Sequence, residues 1–212
     1  MQEGLLPIFP LEVVLLPHTP LPLHIFEERY KEMIGECLDS GGEFGVVLAK
    51  GGGVLRVGCT ASIEKVLERH DDGRLDILTL GQRRFEIESI DTERSYFRAH
   101  VAFFDDDDYE PAKPQLIHDA IEVYEELARL TESELEPPDS DHPELSFLLA
   151  HITADLGFRQ TLLQIRSEAQ RMERVAEHLR LLILRQKTRD EMKKIIRANG
   201  HGKHLPPNPS QN

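Results

Sequence analysis

Apolar residues recur along this chain with two periods, and the change from one to the other divides it near residue 105. Before that point the period is mostly two. RFEIESI (residues 84–90) and YFRAHVAFF (residues 96–104) alternate apolar with polar positions, as half-buried strands do. In residues 54–69, Cys59, Ala61, Ile63, Lys65 and Leu67 share one face, and Asp72-Gly73 signals a tight hairpin into RLDILTL. EFGVVLA (residues 43–49) is a shorter β-rich run, and Gly81 reads as a place where the chain bends sharply. At least six strands within about a hundred residues predict a small, partly closed antiparallel barrel or sandwich.

One helix interrupts this region. Tyr30, Met33, Ile34, Cys37 and Leu38 fall at i, i+3, i+4, i+7 and i+8, one buried face, and residues 39–42 end it with Gly41 or Gly42 suited to the left-handed C-terminal position. Phe26, Tyr30, Met33 and Ile34 are expected to join this helix to the strands. Just before it, Pro7, Pro10, Pro17, Pro20 and Pro22 remove backbone donors and bias the residues preceding them towards extended geometry. That run reads as short edge or bulged strands.

Beyond residue 108 the period is helical. Leu116, Ala120, Val123, Tyr124, Leu127 and Leu130 form a second amphipathic stripe. Residues 131–142, with Pro137 and Pro138 among acids, read as an exposed loop; a short helix over 144–154, a break near Gly157 and another helix over 159–165 follow. Ser167 with Gln170 is a capping-box signature, and no proline or glycine intervenes until Gly200. One helix of about 30 residues, roughly 45 Å long, is implied. Met172, Val175, Ala176, Leu179, Leu182 and Ile183 line it, widened by Leu181 and Leu184, so its first half packs and its basic second half projects. The tail from Gly200 is poor in core formers and reads as disordered.

The expected fold is therefore α+β: an antiparallel β-rich pseudo-barrel with one helix (residues 1–110), a helical subdomain ending in a long helix (111–199) and a disordered tail (200–212). A chain of 212 residues can bury a sizeable core. No apolar run approaches the roughly 20 residues of a membrane span, and the N-terminus lacks a basic region ahead of its apolar stretch, so a cytoplasmic protein is expected. Cys37 and Cys59, one on the helix and one in a strand, read as packed reduced thiols. The net charge of −13 divides into −20 for residues 1–156 and +7 for residues 157–212. A basic helix against an acidic body explains that polarity without a partner, and nucleic acid is disfavoured because the β-rich part is strongly acidic; Arg83 and Arg84 are the exception there and read as pairing with acids across the sheet.

Motifs for chemistry are few. Gly51, Gly52 and Gly53 follow Lys50 and precede a strand, the wrong order for a phosphate-binding loop. The aspartates at 105–108 lack the alternating ligands of a calcium loop and read as a solvated turn. His201 and His204 suggest no more than a weak adventitious metal site, and the ten histidines include no zinc-hydrolase spacing. No catalytic residue, metal site or cofactor is assigned.

LPIFPLEVVLLPHTPLPLHIFEERY, and then VGCTASIEKVLERHDDGRLDILTLGQRRFEIESI with its Gly-x-x-Arg-Phe segment, resemble the N-terminal, substrate-binding domain family of Lon proteases, especially its stand-alone members. Glu28 stands where many stand-alone members carry proline. The resemblance implies a pseudo-barrel similar to PUA-type RNA-binding domains, and a non-catalytic module that recognises unfolded or partly folded proteins or peptides, with a protease or ATPase as a further partner. Neither the Walker motif nor the Ser-Lys domain of full Lon proteases is found in this chain. A nucleic-acid-binding protein and an oligomerisation module built on the long helix are the competing classes. With the buried face of the first helix fixed by its phase, Glu28, Lys31 and Glu32 fall on the exposed side or its margins and are the candidate peptide-binding residues.

Overall fold

The computed structural model describes residues 5–107 and 110–200. In chain order its elements are β1 (Leu6–Leu11), β2 (Pro20–Ile25), α1 (Glu28–Ser40), β3 (Phe44–Lys50), β4 (Gly53–Val54), β5 (Val57–Arg69), β6 (Leu75–Asp91), β7 (Phe97–Phe103), α2 (Pro114–Leu130), α3 (Leu145–Ala150), α4 (Leu156–Gln164) and α5 (Glu168–Gly200). The class is α+β, with a ring-like sheet and a long final helix. Residues 201–212, including His201 and His204, lie outside the described residues.

The strands β7, β6, β5 and β3 pair antiparallel in that order. β1 closes the ring by changing partner: Leu6 to Ile8 lie against β7, and Ile8 to Leu11 run parallel to β3. Pro7 and Pro10 thus sit inside the ring, not on an outer edge as their composition suggests. Only Ile8 needs neighbours on both sides, so a missing donor is tolerated along the rest of β1. β2, with Pro20 and Pro22, is an edge strand paired to β6 alone.

Two cores result. Inside the ring, Ile8, Val47, Phe85, Ile87 and Ala99 pack together. A Cβ on Gly45 would lie 2.6 Å from Cζ of Phe85, and one on Gly58 2.5 Å from the Val46 carbonyl oxygen. Glycine at both positions makes room for that phenyl ring. The larger core lies outside the ring, where Phe9, Phe44, Val46 and Cys59 meet Tyr30, Met33 and Ile34 of α1 and continue into Phe147, Leu162, Met172 and Leu179 of the helices. β1 and β3 serve both cores with alternate residues, so their sequences read as unbroken apolar runs. Cys37 and Cys59 are buried free thiols, and burial raises the Cys37 pKa to about 11.

Residues 12–19 join the β-rich and helical parts. Val14, Leu15 and Leu16 are buried. The His18 amide donates to Gly81 O at 2.9 Å, and the Gly81 amide to Thr19 O at 3.0 Å. Gly81 lies within β6 at the edge of a register shift in its pairing with β5, and a Cβ there would fall 2.1 Å from the Leu16 carbonyl oxygen. Arg159 of α4 donates to Val14 O, and the His18 ring meets Glu144 at 2.8 Å.

An ionic cluster fastens the same joint. Arg84 of β6 and Arg171 of α5 are 3% and 0% exposed. Both reach Asp106, Arg84 at 2.6 Å and Arg171 at 2.5 Å and 2.7 Å, and Arg171 also binds Glu168 at 2.8 Å. The Ile165 carbonyl accepts from both guanidiniums, and the guanidinium carbon of Arg171 lies 4.3 Å from the centre of the Phe147 ring. Asp106 is thus no part of a solvated turn, and Arg84 finds its acid beyond the end of β7 instead of across the sheet. Burial opposes ionisation of Asp106, but the hydrogen bond and charge of Arg171, reinforced by Arg84, hold its carboxyl below the usual range.

Other departures from the sequence pattern are local. Phe26 is 59% exposed, outside the core it was expected to join. Gly157 does not break the helices: Asp155 caps α4 by accepting from the Phe158 amide at 3.0 Å, placing Gly157 in its first turn. Leu181 and Leu184 are exposed, so the apolar stripe of α5 is narrower than expected. Lys187 pairs with Glu126 at 2.7 Å and Arg180 approaches Asp119 at 3.9 Å, so part of the opposite charge of the two halves is spent between α5 and α2.

Candidate functional site

The α1 surface presents the three candidate residues, though not as one free patch. Glu28 is fully outside, while Lys31 is mostly covered and donates to Glu28 Oε1 at 2.8 Å and to Asp72 O of the β5–β6 hairpin at 3.1 Å. Glu32 looks to the other flank, where it accepts from Ser95 Oγ at 2.6 Å and lies 3.7 Å from Arg94. One turn further, Glu36 binds Arg94 and accepts from the Tyr96 hydroxyl at 2.7 Å. The Tyr96 bond lowers the Glu36 pKa, while burial and Glu36 push Tyr96 up to about 12. Two of the three candidates thus tie α1 to neighbouring loops, one on each side.

The loop that holds Glu32 leads into a second surface that periodicity does not reveal. Tyr96 turns inward and Phe97 outward, to line a groove of about 500 Å³ with Ile90, Pro10, Ala49 and Val54. Its far wall is the β3–β4 turn, where Gly51 and Gly52 take φ of +61° and +81°, a left-handed geometry that explains this glycine run without phosphate. Glu12 and Lys50 stand at the rim. Ile90 is 46% and Phe97 38% exposed, although both belong to strands of the ring. The groove combines an apolar floor with one charge of each sign, within the size range of ligand clefts. The only sequence clue is that Ile90 and Phe97 end or begin their strands, where alternation says little about facing.

The β2 edge is a poorer platform. Pro20 and Pro22 leave it short of backbone donors, which blunts strand addition. Among the described residues no helix is long and apolar enough to cross a membrane.

A ring-like β-sheet with a docked helix, a helical extension and an exposed apolar groove is the architecture of a binding domain. The family model described as "ATP-dependent protease La (LON) substrate-binding domain" matches residues 5–180, and the chain belongs to that family. It is similar to the crystal structure of a Lon N-terminal domain protein from Xanthomonas campestris, with 26% identity and a TM-score of 0.63 over 81% of this chain and 96% of that one. The fold is also shared with the N-terminal domain of the Mycobacterium avium complex Lon protease, with 15% identity and a TM-score of 0.60 over 83% of this chain and 98% of that one. The Gly-x-x-Arg-Phe segment acquires a physical meaning here. Gly81 receives the joining loop, Arg84 anchors the ionic cluster and Phe85 fills the ring.

Proposed function

We propose that this chain is a non-catalytic binding module that captures exposed apolar segments of unfolded or partly folded proteins in the groove beside Ile90 and Phe97. The observation that carries the reading is that groove: the apolar side chains of Ile90 and Phe97 stand half-exposed over it, beside Pro10, Ala49 and Val54. Membership of the LON substrate-binding family supports protein segments as the ligand class. An extended segment would bury alternate side chains between Phe97 and the glycine turn, with Glu12 and Lys50 setting direction through charge. Glu32, against the β6–β7 loop, and Glu28, on the hairpin side of α1, would steer cationic segments towards it. Captured clients would then pass to a separate ATPase or protease.

The test is fluorescence anisotropy with a labelled, reduced and carboxymethylated model protein and with the same protein folded. Saturable binding of the unfolded form alone, displaced by a short apolar peptide, is expected. Equal binding of both forms, or of neither, overturns the reading. The purified chain is also expected to leave casein and ATP unconsumed, and turnover that survives repurification but is abolished by a point substitution would contradict the non-catalytic assignment.

A further inference from the structure

A different part of the β-sheet brings together two imidazoles and a carboxylate that neither packing nor the binding groove uses. His24 on the β2 edge is the register partner of Asp76 on β6, and Asp76 also faces Glu68 on β5. His70 stands in the hairpin between β5 and β6, held by its amide to Arg74 O and by the Gly73 amide to His70 O, both at 2.9 Å. His24 Nδ1 lies 2.6 Å from Asp76 Oδ1 and His70 Nε2 2.7 Å from Oδ2. The donor atoms of all three residues fall within 4.8 Å of one another.

We infer that His24, His70 and Asp76 form a binding site for a first-row transition-metal ion of the Zn²⁺ type. Two nitrogens and one oxygen suit Zn²⁺, Co²⁺ or Ni²⁺ and not Mg²⁺ or Ca²⁺, which take oxygen donors. A tetrahedral ion with bonds of about 2.0–2.2 Å sets its ligands roughly 3.3 Å apart, so the two short contacts open slightly and the widest closes. Rotation of these side chains, His24 exposed and His70 and Asp76 partly so, supplies that change without moving the strands. The ion takes the place of the two ring protons now shared with Asp76. On neutral rings the His24 proton moves to Nε2, and the His70 proton to Nδ1, where Glu68 Oε1 stands 3.8 Å away and can swing in to accept it. The fourth position opens to solvent.

Such an ion clips the free edge strand β2 to the β5–β6 hairpin. The hairpin is also held to α1 through Lys31 and Asp72 O, and His24 stacks on the exposed Phe26 ring with centroids 5.9 Å apart. Metal binding would therefore stiffen the surface around Phe26 while leaving the groove at Ile90 and Phe97 untouched.

The experiment uses the full chain with His201→Ala and His204→Ala, so that tail histidines do not contribute. Calorimetric titration with ZnCl₂ is expected to give one ion per chain with a Kd in the micromolar range, about 1–10 μM. Saturating Zn²⁺ is expected to raise the Tm by a few degrees, and MgCl₂ to leave it unchanged. Asp76→Asn, which keeps the shape of the side chain, and His70→Ala are each expected to weaken Zn²⁺ binding at least tenfold with the far-ultraviolet circular dichroism of the parent. Parent chain that binds no Zn²⁺ at 100-fold excess over about 1 μM protein overturns the proposal, as does unchanged affinity in both variants. If a variant unfolds, the visible absorption of Co²⁺ added to the folded parent decides: a four-coordinate band supports the site, and the spectrum of aqueous Co²⁺ refutes it.

Discussion

The joint between the two parts of this molecule and the rim of its β-ring break the usual rule of burial in opposite directions. At the joint, charges are inside: Arg84 and Arg171 are sealed against Asp106, Glu168 and backbone carbonyls, with aromatic rings beneath them. At the rim, apolar groups are outside: Ile90 and Phe97 face solvent over a glycine turn. The buried charges have partners that compensate their desolvation, so they are explained by holding the architecture together. The exposed apolar pair has no such return within the chain, and that is why the rim is where binding is sought.

The largest expected effect comes from breaking the joint. Arg171→Met strands Glu168 in a buried site and leaves Asp106 with Arg84 alone, and should destabilise by about 3–5 kcal/mol, read as a lowered denaturation midpoint at constant slope. Adding Glu168→Gln to that variant should recover part of the loss, because Asp106 keeps Arg84 and no carboxylate is then left without a cation. Additive losses would mean that the two residues act separately.

The barrel and α1 cores come next. Phe85→Ala empties the ring interior, and Tyr30→Ala removes the ring packed 4.1 Å from Phe9; each should cost about 3–5 kcal/mol. A midpoint unchanged by Tyr30→Ala would make that residue a surface group and reopen α1 as the primary binding site.

A smaller effect distinguishes the helical part by pH. Burial lowers the pKa of His151, with the Arg159 charge adding to it, and burial likewise lowers that of His178, stacked on Phe158. The folded state then binds fewer protons than the unfolded one. The resulting stability is present above the ordinary histidine value of about 6.5 and is lost as the pH falls through the lowered folded values. Melting should therefore begin to weaken just below neutrality, before the carboxylates titrate, and His178→Gln should flatten that slope. An unaltered slope would place the titrating groups elsewhere.

How far all this is legible in the sequence follows from the range of the interactions. The α1 face, the hairpin at Asp72-Gly73 and the onset of α5 at Ser167 rest on neighbours a few residues apart, and the structure has them where the pattern puts them. The ring closure does not, because β1 meets β3 and β7 across distances that no local period encodes. Asp106 looked like one of four solvated acids because its cations come from residues 84 and 171. At Gly81 the sequence offers only a bend, because a glycine needed for the close approach of another segment, here the Leu16 carbonyl, looks the same as one needed for a turn. The candidate binding residues illustrate the same limit: helix phase places Lys31 at the margin, but only the hairpin shows that its ammonium is engaged.

The smallest effects on stability should accompany the largest on binding. Reversing Glu28, Lys31 and Glu32 together breaks the surface ties of α1, each worth little, so it is expected to lower melting only slightly and to weaken capture of an unfolded protein severalfold, about 1 kcal/mol. Unchanged capture would confine binding to the groove. The central claim is tested most directly by the double substitution Ile90→Ser and Phe97→Ser, with affinity for the unfolded model protein and unfolding midpoint measured on the same preparation. The account predicts at least a tenfold loss of affinity, about 1.4 kcal/mol, with stability lowered by roughly 1 kcal/mol or less. Full affinity in a folded double variant would contradict it.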